Sequence, residues 1–130
     1  MKNFIHLSPI LLFICFAIAA CTKPTPNTDY TATADCSVLI DSLNTYTHTV
    51  KNIFDAHCAY SPCHDAGTAK KKIALDSYSG AVAAVNKYPT KFLCAIHQDA
   101  GTKAMPLNLP KLADSLILKI DCWVKNGMQE

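Results

Sequence analysis

The chain has 130 residues and a formal net charge of +2, from 12 lysines with no arginine against 10 acidic residues. This balance lacks the basic excess of nucleic-acid-binding domains. The length suits one small domain with a modest core rather than several.

Residues 1–20 have the pattern of a targeting segment. Lys2 supplies a short positive start, and Ile10 to Ala20 is an apolar run that ends in small residues and is too short to span a bilayer. Ile18-Ala19-Ala20-Cys21 resembles a bacterial lipobox. That resemblance implies a mature chain starting at Cys21, lipidated there and held to a membrane of the Gram-negative cell envelope, as an outer-membrane or periplasmic lipoprotein. The alternative is an ordinary signal peptide with Cys21 as a bystander. Removing residues 1–20 takes away Lys2 and no acids, leaving 11 lysines against 10 acidic residues.

The next stretch, 21–40, is expected to be a tether. Pro24, Pro26 and many threonines give it little to bury up to about Cys36, so an extended, mobile segment is predicted. The remainder, 41–130, should form the folded domain. Val50, Ile53, Phe54 and His57 recur at helical spacing, predicting a helix from Asn44 or Thr45 to His57. A second helix is predicted over Ser79 to Lys87, with Ser79 as its N-cap and Pro89 as its stop. Phe92 to Ile96 suggests a short helical turn, and the prolines in Ala104 to Pro110 an extended loop. Leu116, Ile117, Ile120, Trp123 and Val124 form the clearest stripe, with Asp114 near its start and Gly127 as its stop. The predicted class is all-α, with three to five short helices and no strong strand signal. Lys70-Lys71-Lys72 is the single charge run, expected as a solvated loop and alternatively as a docking patch for an acidic redox partner.

Between the first two helices lies Cys58-Ala59-Tyr60-Ser61-Pro62-Cys63-His64. Two thiols followed at once by an imidazole suit covalent haem attachment, although four residues separate the cysteines where the usual motif has two. Each thiol can add across a vinyl group of the macrocycle, and His64 can then reach the iron. The two extra residues must loop out, and Pro62 can help make that turn.

The stretch from Val50 to Gln129 resembles class I cytochromes c, especially small haem domains of bacterial lipoproteins. The likeness rests on four segments in the right order: Val50-Lys51-Asn52-Ile53-Phe54 leading into the cysteine motif, Ile73 to Gly80, Lys103-Ala104-Met105-Pro106, and Lys111 through Gly127. The resemblance implies a cytochrome c-like fold around one haem c, with thioethers at Cys58 and Cys63 and axial ligands His64 and Met105. It further implies single-electron transfer between redox proteins, with no open iron site for an enzymatic substrate. Met128, His48, His57 and His97 are alternative distal ligands, less favoured than Met105. Different readings of the motif are a zinc site of His57, Cys58, Cys63 and His64, or a Cys58–Cys63 disulfide in a cofactor-free binding or structural lipoprotein. Of the cysteines left over, Cys94 with Cys122 is the preferred disulfide, and Cys36 as a clamp for the tether is the alternative.

Overall fold

The computed structural model describes residues 28–130, so the targeting segment, Cys21 and the first part of the tether lie outside the described residues. All regular structure among the described residues is helical: α1 (Tyr30–Thr33), α2 (Lys51–His57), α3 (Tyr78–Lys87), α4 (Pro89–Ile96) and α5 (Asp114–Lys125), with short 3-10 turns and a wider π-type turn, Tyr46–Val50, leading into α2. None of these helices is long and apolar enough to cross a membrane. The all-α class expected from the periodicity is what forms.

The core is built on α5. Its stripe buries Ile117, Ile120 and Trp123, and Trp123 has no exposed surface. The Trp123 ring lies 6.3 Å from Phe54, edge to face, and 6.0 Å from Tyr46; Phe54 meets Phe92 edge-on at 6.3 Å. Rings in these orientations add to the stabilisation that their burial already gives. Val50, Ile53 and Phe54 enter the same core, so the predicted stripe of the first helix is the buried one. The C-terminus closes over it: Gln129 O accepts from both Trp123 Nε1 and Tyr46 N, each at 2.8 Å.

The second predicted helix begins slightly earlier than expected. Ser77, not Ser79, is its N-cap, with Oγ accepting from Gly80 N at 3.3 Å. Gly80 shows why the chain enters here: a Cβ at this position would stand 2.5 Å from Ala74 O, so only glycine lets the first turn approach the preceding strand-like segment. Pro89 does end α3, and it also starts α4, where its missing N–H costs nothing at the first helical position. The predicted turn at Phe92–Ile96 is therefore the second half of a full helix. Gly127 ends α5 at φ +85°, a left-handed conformation suited to glycine.

The segment before the domain is not extended once it reaches Tyr30. Asp29 caps α1 through bonds from Thr31 N and Ala32 N, and α1 packs on α5. A 3-10 turn, Cys36–Val38, also lies against α5. Lys125 Nζ donates to Ala34 O at 2.7 Å, and Asn126 Nδ2 donates to Asp41 Oδ1 at 3.1 Å. Residues 28–36 thus form a strap bound along the last helix. The strap carries the disulfide, Cys36–Cys122, 86 residues apart in sequence. The preferred Cys94–Cys122 pairing is corrected accordingly. The strap lays Cys36 against α5, while Cys94 stays a free, fully buried thiol whose Sγ donates to Thr28 O at 3.7 Å.

Candidate functional site

Helix α2 runs directly into the cysteine motif. Phe54 O accepts from both Cys58 N and Ala59 N at 2.7 Å, which tightens the last turn and ends the helix. The loop then folds back on itself. His64 N donates to Cys58 O at 3.1 Å and Cys63 N to Tyr60 O at 2.6 Å, so the two extra residues are taken up in a closed turn. The Ser61–Pro62 peptide within it is cis. Cys58 and Cys63 are both free and half-buried, so the alternative in which they bridge each other is not what forms. Burial, with a smaller effect of neighbouring Cys63, pushes the Cys58 thiol up to about 12.

A thiol held so far above the usual range is neutral at physiological pH, and alkylation proceeds through the thiolate. In the purified chain without added cofactor, alkylation of Cys58 should be slow at about pH 8 and rise about tenfold per pH unit to at least about pH 10. Mass mapping of the modified peptide checks this, and a rate that levels off below about pH 10 contradicts it.

His64 is held from behind. Its Nδ1 lies 3.2 Å from the backbone O of Ile73, and its own O accepts from Leu75 N at 2.7 Å. A carbonyl can only accept, so in the neutral ring Nδ1 carries the proton and Nε2 is left as a bare lone pair. Ligating histidines are commonly held in this way, with one nitrogen donating to a backbone carbonyl and the other free for a metal. The Lys70–Lys72 turn sits beside the motif, since Lys70 N donates to Cys63 O at 3.0 Å. All three lysines are exposed, as expected of a solvated loop.

Met105 is half-buried in the loop after α4, and its bond to Pro106 is cis. Its backbone is fixed at both ends: Met105 N donates to Ala95 O at 2.8 Å, and Gln98 Nε2 donates to Met105 O at 3.4 Å and to Leu109 O at 3.2 Å. The motif and this loop share an apolar cleft of about 400 Å³, walled by His57 and Tyr60 on one side, Pro106 and Leu109 on the other, and Leu116 of α5. Tyr60 and Leu109 on the cleft, and Leu107 beside it, are 39%, 53% and 47% exposed. Apolar side chains left in water around one cleft mark a surface that a ligand or partner would cover.

The alternative ligands separate by their surroundings. His97 is occupied: its Nε2 lies 2.9 Å from Asp121 Oδ2, and its ring stacks on Tyr30 with centroids 3.3 Å apart. His48 is exposed in the Tyr46–Val50 turn that leads into α2. His57 is half-buried on the cleft wall. Met128 is not frayed; its N donates to Trp123 O at 2.8 Å and its O accepts from Tyr78 Oη at 2.9 Å. The four side chains of the zinc reading do not converge, because no group of three or more His, Cys, Asp or Glu side chains among the described residues is placed to hold a metal ion.

The grouping of Tyr30, Cys94, His97, Asp99 and Asp121 was not foreseen. Tyr30 Oη donates to Asp99 Oδ1 at 2.6 Å, and burial with that carboxylate raises the phenol to about 12. Burial raises the Asp121 carboxyl above the usual range, with His97 opposing the shift. Comparison with family models, with curated protein sequences and with solved structures finds no match to this chain.

Proposed function

We propose that the chain is a membrane-anchored c-type cytochrome that carries single electrons, in which Cys58 and Cys63 would hold haem c, His64 and Met105 would ligate its iron, and Cys21 would carry the lipid anchor. The observation that carries this reading is the hold on His64: Nδ1 lies 3.2 Å from the Ile73 carbonyl and Nε2 has no hydrogen-bond partner among the described residues, in a loop that carries two unbridged thiols. The donor set fits the group. Two thiols, an imidazole and the Met105 thioether are donor types that a covalently held haem takes, and the adjoining apolar cleft of about 400 Å³ is lined by Tyr60 of the motif and by Pro106 and Leu109 of the Met105 loop, but by none of the four donors themselves.

Haem supplies the one-electron chemistry through the ferrous and ferric states of its iron. The roles of the protein side chains follow from where they stand. Cys58 and Cys63 would hold the group through thioethers, each a net addition of S–H across one vinyl C=C with no oxidation. His64 supplies a nitrogen whose direction the Ile73 carbonyl fixes, and Met105 supplies a soft sulfur that favours the reduced state and raises the potential. Tyr60, Leu109 and Leu116 give the cleft apolar walls against which the macrocycle would pack.

The test is a reduced-minus-oxidised visible spectrum of the full-length chain, produced in a host with haem-attachment machinery. Sharp α and β bands are expected, together with a weak far-red band in the oxidised form from sulfur on ferric iron. Met105→Ala should remove the far-red band and leave the α band. A colourless protein would overturn the haem reading, and an unchanged far-red band in Met105→Ala would move the distal ligand elsewhere.

A further inference from the structure

The strap that precedes the domain reaches the loop bearing Met105 through three consecutive residues. Tyr30 on α1 stacks on His97, with ring planes 7° from parallel, and donates from Oη to Asp99. His97 is braced from the other side by Asp121 of α5, at 2.9 Å. Between the two residues that Tyr30 grips lies Gln98, whose backbone has a left-handed φ of +61°. That conformation turns the chain at the end of α4 and points the Gln98 amide at the carbonyls of Met105 and Leu109. Thr102 ties the same turn down, its Oγ1 donating to Asp99 O at 2.8 Å and to Cys94 O at 3.2 Å. A non-glycine residue in the left-handed region is held there only when its surroundings over-determine it. Here His97 and Asp99, fixed by the strap, supply that constraint.

We infer that residues 28–36 are part of the ligand-holding apparatus, with Tyr30 as a positioning residue that fixes the His97–Asp99 turn and, through Gln98, the Met105 loop. The Cys36–Cys122 disulfide anchors the strap on α5 just after Tyr30 makes these contacts. The chain arriving from the membrane side would then be mechanically continuous with the distal face of the site. This inference rests on Met105 as the distal ligand, and two separate readouts keep the two claims apart.

The experiment compares the full-length chain, disulfide intact, with Tyr30→Ala and Tyr30→Phe. One readout is amide hydrogen exchange at Met105, whose N–H is bonded to Ala95 O, with the Phe54 amide in the core as reference. The other is the far-red absorption of the oxidised protein. Tyr30→Ala removes both the stack and the bond to Asp99, and should speed exchange at Met105 about thirtyfold through local opening. Exchange at Phe54 should stay unchanged and the far-red band should be lost. Tyr30→Phe keeps the stack, and should speed exchange about fivefold and retain most of the band. Should Tyr30→Ala expose Phe54 as well, the variant has unfolded and Tyr30→Phe decides. Unchanged Met105 exchange in the folded variants overturns the inference. A wild-type chain that takes up no haem but shows the expected exchange upholds the strap's hold on the loop while defeating the ligand assignment of the loop's methionine.

Discussion

Removing the strap's disulfide with the double substitution Cys36→Ser/Cys122→Ser is expected to lower the stability of the full-length chain by about 4 kcal/mol. The two sulfurs close a loop spanning 86 residues, so the intact bond restricts nearly the whole folded region in the denatured state. For a domain of this size the loss corresponds to a fall in melting temperature of roughly 15–30 °C. It is also a large share of the stability that such domains possess. Substituting both cysteines avoids leaving an unpaired partner thiol in a chain that already carries the free thiol of Cys94. Thermal unfolding followed by circular dichroism measures the effect, and reductant added to the wild type should reproduce it. A loss below about 1 kcal/mol would mean that the strap is held by its polar contacts, Lys125 to Ala34 and Tyr30 to Asp99, and gains little from the bond.

Trp123→Ala should cost about 3–5 kcal/mol. The indole is fully buried, touches the rings of Tyr46 and Phe54, and donates to Gln129 O. Its loss removes apolar contact, opens a cavity beside the rings of Tyr46 and Phe54, and frees the C-terminal segment that also accepts from Tyr46 N. Denaturant unfolding measures this, and Trp123→Phe separates the contributions. Phenylalanine fills most of the space and forfeits the N–H bond, so a smaller loss of about 1–2 kcal/mol is expected. Equal losses in the two variants would show that the bond to Gln129, not the packing, carries the contribution of Trp123.

These two residues also show what the sequence could and could not reveal. Trp123 was legible because its stripe is local: Ile117, Ile120 and Trp123 recur within one helix, and periodicity alone marks the buried face. The helix leading into Cys58 was legible for the same reason. The Cys36 pairing was not, because spacing carries no connectivity and the partner lies 86 residues away. Tyr30 was hidden more deeply. It stands among threonines and acidic residues with no apolar rhythm, and the contacts that fold it, His97 and Asp99, belong to another part of the chain. Ser77 rather than Ser79 caps α3, and nothing in the local pattern distinguishes the two serines; the close approach of Gly80 to Ala74 O belongs to the folded chain. The second role of Pro89, at the start of α4, is invisible in sequence because a proline after one helix and a proline opening the next look alike. At the site itself, the residues of the cysteine motif and the Met-Pro loop could be named in advance. What lay outside the sequence was how they are held: the Ile73 carbonyl behind His64, and Gln98 behind Met105.

The central claim is that Cys58 and Cys63 hold haem covalently, and peptide mass tests it most directly. With no arginine in the chain, trypsin releases residues 52–70 as one peptide that contains both thiols and His64. From chain made in a host with haem-attachment machinery, that peptide should carry the mass of one haem through denaturation and acidic organic extraction, and neither cysteine should react with a thiol reagent. A peptide of unmodified mass with two reactive thiols would contradict the account.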